Sequence, residues 1–510
     1  MNLLLAGPFV IPLLGAGITM LLRRTPRSQQ VAGVVTLAAV IADAAWLLSL
    51  TADGSVLVSH AGNWPAPLGV TLVADPLSAL LLTVSSVVLL LVLLYAIGQD
   101  IGGLSRATPQ TFHPLYLVLT AGVCLSFLAG DLFNLFVAFE VMLTASYALI
   151  TQAPTRARVR ASMIYTVVGL TSSILFLTGI ALVYALVGTV NMADIAVKLD
   201  HAPDDLRMVL ALLFLVVFGI KAAIVPMHFW LPDSYPVAIT RISAIFAALL
   251  TKVAVYAIIR TQTLLFGDDS AGVSTVMLWI AIATMVVGIM GALVQDDINR
   301  LMSFALVSHI GFMIFGLALN TVAGIAGVMV YLVHHIVVQA TMFLVNGLVR
   351  QFVGHTSLRS IRGLTAVSPA LAIYFFLPAL SLAGIPPMSG FIAKVALFQA
   401  GVEVGGWLTW IAIGAGLLTS LLTLIAIFRV WARAYWGTPL PDMLAARAEL
   451  KRGPDAAGLR MMTVTTGVMV AFGLLVALLA GPLVDFSFTA AHDLVDGGAY
   501  IDAVLPGGAS

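Results

Sequence analysis

Fourteen apolar stretches succeed one another along this chain, at 3–22, 31–50, 77–97, 112–129, 131–151, 161–187, 206–239, 241–260, 273–294, 298–318, 323–349, 368–403, 406–436 and 463–486. About 20 such residues are what a helix needs to cross a hydrocarbon core ~30 Å thick. Inside lipid every backbone polar group must find a partner within the protein, so spanning segments of this length are helices. The expected fold class is therefore an all-α integral membrane protein with 14 transmembrane helices. Only 9% of the 510 residues are charged, against about 25% in soluble domains. A net charge of +1 gives no attraction to nucleic acid. The single cysteine, Cys124, lies in an apolar run and allows no internal disulfide, cysteine-based metal site or Fe–S cluster. Basic residues follow the first run rather than precede it, which marks a retained span and not a cleaved leader.

Two stretches are too long for one straight crossing, and both are interrupted. The seventh holds Pro226, Pro232 and Pro236 within IVPMHFWLPDSYP, and the twelfth holds Gly384, Pro386, Pro387 and Gly390 within AGIPPMSGF. Proline removes a backbone donor and clashes with the preceding turn, so a helix kinks or unwinds there. Each interrupted helix is fourth in a run of five, helices 4–8 and 9–13. An odd number of spans forces the second run to lie upside down relative to the first. Inverted repeats with broken helices are a signature of ion transport. The expected division is 1–100 for helices 1–3, 112–260 for the first repeat, 273–436 for the second, and 437–510 for a cytoplasmic linker, helix 14 and an outside tail.

Basic residues favour the cytoplasmic side of a membrane. Placing Arg23, Arg24 and Arg27 inside also places inside Arg106, Arg156, Arg158, Arg160, Arg241, Arg300, Arg350, Arg359 and Arg362. Arg429, Arg433, Arg447, Lys451, Arg452 and Arg460 join them. That leaves Lys198, Arg207 and Arg260 outside, where Asp194, Asp200, Asp204, Asp205, Asp268, Asp269, Asp493, Asp496 and Asp502 also fall. Both termini are then expected outside the cell.

Four charges remain within the spans: Glu140, Lys221, Lys252 and Lys394. A charge at the bilayer centre costs at least about 2.5–3.5 kcal/mol, so it has a partner, a wet cavity or a task. Burial disfavours the charged form of a lone Glu or Lys, and pairing favours both charges. A Glu140–Lys221 pair that opens and closes would thus retain and release a proton. Lys252 is too far from a helix end to reach the interface. Lys394 follows the second break, where it serves transport or satisfies the carbonyls freed in AGIPPMSG. His334 and His335 are neighbours on one helix and project about 100° apart, so they do not form a metal pair. One of them, with His309, suits a polar axis for protons. Ser303, Ser308, Gln339 and Thr341 are candidates to carry water between these stations. The chain shows no G-x-G-x-x-G, P-loop, H-E-x-x-H or C-x-x-C, so the expectation is a transporter component without cofactor or metal, not an enzyme.

Three segments carry a family resemblance: DLFNLFVAFEVMLTASYALI, GIKAAIVPMHFWLPDSYPVAITRISAIFAALLTKVAVYAI and LAGIPPMSGFIAKVALF. They resemble the antiporter-like family shared by Mrp-type Na+/H+ antiporters and the membrane arm of respiratory complex I. The resemblance implies 14 helices in two inverted five-helix repeats, Glu140 and Lys221 as the charge pair, Lys252 as the bridging lysine and Lys394 as the lysine of the outer exit. It favours His334 or His335 as connectors. It implies other Mrp subunits as partners, in a prokaryotic plasma membrane, with sodium handled by the whole complex. The segment GNWPAPLGVTLVADPLSALLL is similar to its counterpart in the D-type subunits of these antiporters. The alternative is the N-type subunit of complex I, or a hydrogenase homologue, in a redox-driven proton pump.

Overall fold

A computed structural model describes residues 3–101, 110–152, 154–267, 270–439, 441, 443–444 and 456–505. Arg106, Asp268, Asp269, Arg447, Lys451 and Arg452, which entered the charge balance across the membrane, lie outside the described residues. The structure is almost wholly helical, as the apolar runs require. Twelve of the described helical segments are long and apolar enough to cross a membrane. Phe112–Leu128 and Pro369–Ala383 are shorter apolar helices at the fourth and twelfth expected positions.

Helices α1 (Leu3–Leu21) and α2 (Pro26–Thr51) pack on one another and are followed by a hairpin, β1 (Leu57–His60) and β2 (Thr71–Ala74). The hairpin went unpredicted because four-residue strands leave little periodicity to read. It is antiparallel, with Leu57 opposite Ala74 and His60 opposite Thr71. β2 runs into α3 (Pro76–Ile101) through Asp75. Asp75 Oδ1 accepts from the Ser78 amide at 2.9 Å and the Ser78 hydroxyl accepts from the Asp75 amide at 2.9 Å. This reciprocal cap, with proline at the first helical position, starts the helix cleanly.

Next come α4 (Phe112–Leu128), α5 (Leu132–Ile150), α6 (Arg156–Val187), the short α7 (Met192–Leu199) and α8 (Asp204–Ala222). α6 begins five residues before the expected 161, because Thr155 caps the Arg158 amide. At the first break Ala223 takes a left-handed conformation, φ 61°, and Ile224 N bonds back to Gly219 O at 3.0 Å. The chain re-forms through α9 (Trp230–Ser234), α10 (Thr240–Ile245) and α11 (Thr251–Arg260), with a π-helical turn, Phe246–Leu250, between the last two.

The second half holds α12 (Ser270–Leu293), α13 (Ile298–Ala318), α14 (Val322–Val353), a single turn α15 (Leu364–Val367), α16 (Pro369–Ala383), α17 (Ser389–Val404) and α18 (Trp407–Val430). The second break repeats the first in outline: Gly384 is left-handed, φ 86°, and Ile385 N bonds back to Leu380 O at 3.0 Å. α14 is the central post. It touches α3, α10, α13, α16 and α17, and its window of highest hydropathy is buried throughout.

The span predicted over 463–486 is α19 (Ala456–Leu478), and the tail beyond it forms two further helices, α20 (Ala480–Asp496) and α21 (Gly498–Val504). Gly481 and Pro482 sit at the start of α20, where proline is tolerated in a helix and disfavoured deeper within one. Three basic residues assigned to loops are also buried. Arg207 lies 3.9 Å from both Asp200 and Asp204, Arg241 pairs with Asp100 at 2.9 Å, and Arg260 pairs with Asp75 at 2.5 Å.

Candidate functional site

Glu140 lies midway along α5 and is half-buried. It does not meet Lys221 directly. Ser173, on α6, donates its hydroxyl proton to Glu140 Oε1 and accepts from Lys221 Nζ at 3.2 Å. Lys221 occupies the last turn of α8 and also lies 5.1 Å from the centre of the Phe139 ring. The two charged groups open onto different spaces. Glu140 lines an open groove of about 430 Å³ with Leu115, Val118, Phe136 and Thr144. Lys221 lines an enclosed cavity of about 20 Å³ with Tyr165, Trp230 and Tyr235, room for about one water molecule.

Lys252 is fully buried on α11, with Nζ 2.5 Å from the carbonyl of Ala247. Ala247 is five residues back, inside the π-helical turn. Such a turn loosens the regular ladder and is frequent at functional positions. Here it presents a carbonyl to the ammonium, and among the described residues no carboxylate pairs with Lys252.

The histidines divide as their spacing predicts. His335 stacks on His309 of α13, ring centres 5.5 Å apart and planes 10° from parallel. His309 Nδ1 is 2.7 Å from the Tyr331 hydroxyl. His334 points toward the second break, where Nδ1 is 2.9 Å from Ser389 Oγ and 3.4 Å from Ser381 Oγ. Gly390 makes this approach possible: a Cβ there would stand 1.9 Å from Ser381 O and 2.8 Å from the His334 ring. Both ring nitrogens of His335, and Nε2 of His309 and His334, are buried without a protein partner among the described residues. Buried polar atoms of this kind are ordinarily met by water.

Lys394, on α17, donates to the carbonyls of Leu382 and Ala383, each at 3.1 Å. These end α16, so the ammonium stands at the negative pole of a half-helix. Lys394 thus satisfies carbonyls freed at the second break. Nζ is also 5.0 Å from the centre of the Phe312 ring. Pro226 lies within the first break and Pro232 in α9 beyond it, and Pro386 and Pro387 lie within the second break.

The structure therefore brings Glu140 and Lys221 to one shared hydroxyl, His309 to His335, and His334 to the break before Lys394. It leaves Lys252 with a backbone partner only, among the described residues. Ser303, Ser308 and Thr341 donate to the backbone carbonyls of Asn299, Met285 and Val337, and Gln339 donates to Met302 O. Ser173, Ser381, Ser389 and Tyr331 escaped the sequence reading. Serine and tyrosine are ordinary in membrane helices, and only their neighbours in space distinguish these four.

Residues 129–423 match the family described as NADH:quinone oxidoreductase/Mrp antiporter, transmembrane. The chain is 37% identical over 508 residues to the D-type subunit of the Na(+)/H(+) antiporter of Alkalihalophilus pseudofirmus, covering 99% of this chain and 100% of that one. It is 35% identical over 510 residues to the protein of the same name in Bacillus subtilis, with the same coverage. Among solved structures it is similar to a chain of the Mrp complex from Dietzia sp., with a TM-score of 0.90, 32% identity and coverage of 99% and 100%. A chain of the membrane-bound sulfane sulfur reductase, an archaeal respiratory membrane complex, shares the fold: TM-score 0.87, 23% identity, coverage 98% and 99%.

Proposed function

The chain belongs to the NADH:quinone oxidoreductase/Mrp antiporter family, and on that premise we propose that it is the proton-translocating subunit of a multisubunit Mrp-type Na+(cation)/H+ antiporter. It is a multi-pass membrane protein and a transporter component whose partners are the other subunits of such a complex. Its setting is the plasma membrane, with both termini outside.

One observation carries the reading: from the half-buried Glu140, buried titratable groups run through Lys221, Lys252, His335, His309 and His334 to Lys394, bracketed by the two broken helices. A proton held on Lys221 is retained while the Glu140 charge is near and released when that charge is neutralised or withdrawn. From Lys221 it passes to Lys252 and the α14 histidines, with water spanning the gaps between them. His334 hands it to the Ser389 and Ser381 pair at the second break. Lys394 receives it at the end of α16 and delivers it outward. The five-helix repeats, 112–260 and 273–436, then each contribute one broken helix and one lysine beside the break.

The test is proton flux in everted vesicles carrying the whole complex, with subunit co-purification checked for each variant. Glu140→Gln is expected to abolish cation/proton exchange while the complex stays assembled. Normal exchange in that variant would sink the proposal.

A further inference from the structure

The geometry points to Ser173 as the relay through which the proton moves between Lys221 and Glu140; this rests on the reading of that pair as the proton-handling site. Ser173 is the described residue that hydrogen-bonds to both groups, and it is 6% exposed. On one side of it Glu140 faces the open groove, and on the other Lys221 faces the enclosed cavity. A proton crossing from one space to the other meets this hydroxyl on the way.

The direction of each bond defines the step. Lys221 Nζ has only donors when charged, and an ionised Glu140 has only acceptors. Ser173 must therefore accept from the lysine and donate to the glutamate. In the unloading direction, transfer moves one Lys221 proton to Ser173 Oγ as the original hydroxyl proton moves to Glu140 Oε1; the reverse step loads Lys221 from a protonated Glu140, the direction that feeds Lys252. Atoms and charge balance: on unloading, Lys221 becomes a neutral amine, Glu140 a neutral acid, and Ser173 still carries one proton. That proton now points at the lysine nitrogen, and the new acid proton points at the serine oxygen.

The wire has reversed, and it cannot pass a second proton the same way until the hydroxyl turns round. Turning it requires both hydrogen bonds to break, which is the opening of the Glu140–Lys221 site. Each transfer is thereby tied to one opening. The neighbouring Ser172 offers a contrast, since its hydroxyl donates to Val217 O at 2.8 Å and reaches neither charge.

The experiment measures proton flux in everted vesicles bearing the intact complex, comparing Ser173→Ala, Ser173→Cys, Ser173→Thr and Ser172→Ala. Ser173→Cys keeps the size but bonds weakly, and it carries the test if the alanine variant fails to assemble. Loss of the relay is expected to lower flux about tenfold or more in the alanine and cysteine variants. Threonine, which keeps the hydroxyl, is expected to restore flux to within about twofold, and Ser172→Ala to match the parent. Near-parental flux in assembled Ser173→Ala or Ser173→Cys overturns the relay, as does failure of threonine to rescue. Glu140→Gln in the same vesicles separates the two levels: if it is inactive while Ser173→Ala is active, only the relay falls. If Glu140→Gln is active, the proton-handling reading of the pair falls with it.

Discussion

Lys252 donates to the carbonyl of Ala247, five residues earlier on its own helix, at 2.5 Å. A π-helical turn thus supplies the lysine with a polar partner from within the same segment, and among the described residues no countercharge fixes it. Replacing it by arginine, which is always charged, or by methionine, which never is, removes the change of state that carriage requires. Both variants are expected to lower proton flux at least about tenfold with the complex assembled. Flux and co-purification measured on the same vesicles check this.

Lys394 serves a structural end as well as the proposed exit. Lys394→Ala strips the carbonyls of Leu382 and Ala383 of their shared donor. Charge-assisted hydrogen bonds of this kind are worth about 1.5–3 kcal/mol. The variant is expected both to melt at a lower temperature and to lose flux. Lys394→Gln, which keeps amide donors, should recover part of the thermal midpoint and none of the flux. Recovery of both would reduce the lysine to a cap.

Asp75 joins two helices, capping α3 through Oδ1 and holding Arg260 of α11 through Oδ2. Asparagine can keep the cap but leaves a buried guanidinium without its counterion. Breaking a buried pair from one side costs about 3–5 kcal/mol. Asp75→Asn is therefore expected to show low yield and early unfolding in detergent. The double replacement Asp75→Asn with Arg260→Met should be milder than the single one, as a thermal unfolding series will report.

On the opposite side from this pair, by the expected topology, the Arg359 guanidinium beside Asp296 holds its carboxyl below the usual carboxylate range, helped by Arg429 and Arg433. The folded value lies under the unfolded one. The stabilisation is therefore complete above the ordinary value, about pH 4, and is lost as pH falls through the folded value. The difference in thermal midpoint between the parent and Asp296→Asn should be constant from pH 7 to about pH 5 and vanish in stronger acid.

Orientation has a direct check, because the one native cysteine, Cys124, is buried. In a Cys124→Ser background, single cysteines at the exposed positions Leu68, between α2 and α3, and Asp502, in α21, are expected to react with an impermeant thiol reagent in whole cells. One in the 23–27 turn should react only in everted vesicles. The reverse pattern overturns the topology.

Much of the architecture was legible because lipid leaves few choices. Apolar length fixed the helices, and prolines marked both breaks to within a few residues. The features that stayed hidden depend on contacts between distant parts of the chain. Arg260 looked like a loop charge, since nothing nearby in sequence announces Asp75, 185 residues away. Glu140 and Lys221 were readable as charges in lipid, but the serine between them was one hydroxyl among many. The α20 helix was hidden by a hydrophobic run that continues past Leu478 across the turn into α20.

Tyr500 of α21 lies with its ring 5.0 Å from the Arg260 guanidinium, and Asp493 of α20 closes the same pocket beside Asp75. The ion pair belongs to the first half of the chain, yet its lid is made from the last. During synthesis the pair must stand uncovered while the whole second half is threaded into the membrane. The C-terminal helices close over the seam between α3 and α11 last. A fusion attached close behind α21 acts on the same seam, so the choice of which end carries a tag is also a choice about when, and how firmly, that seam closes.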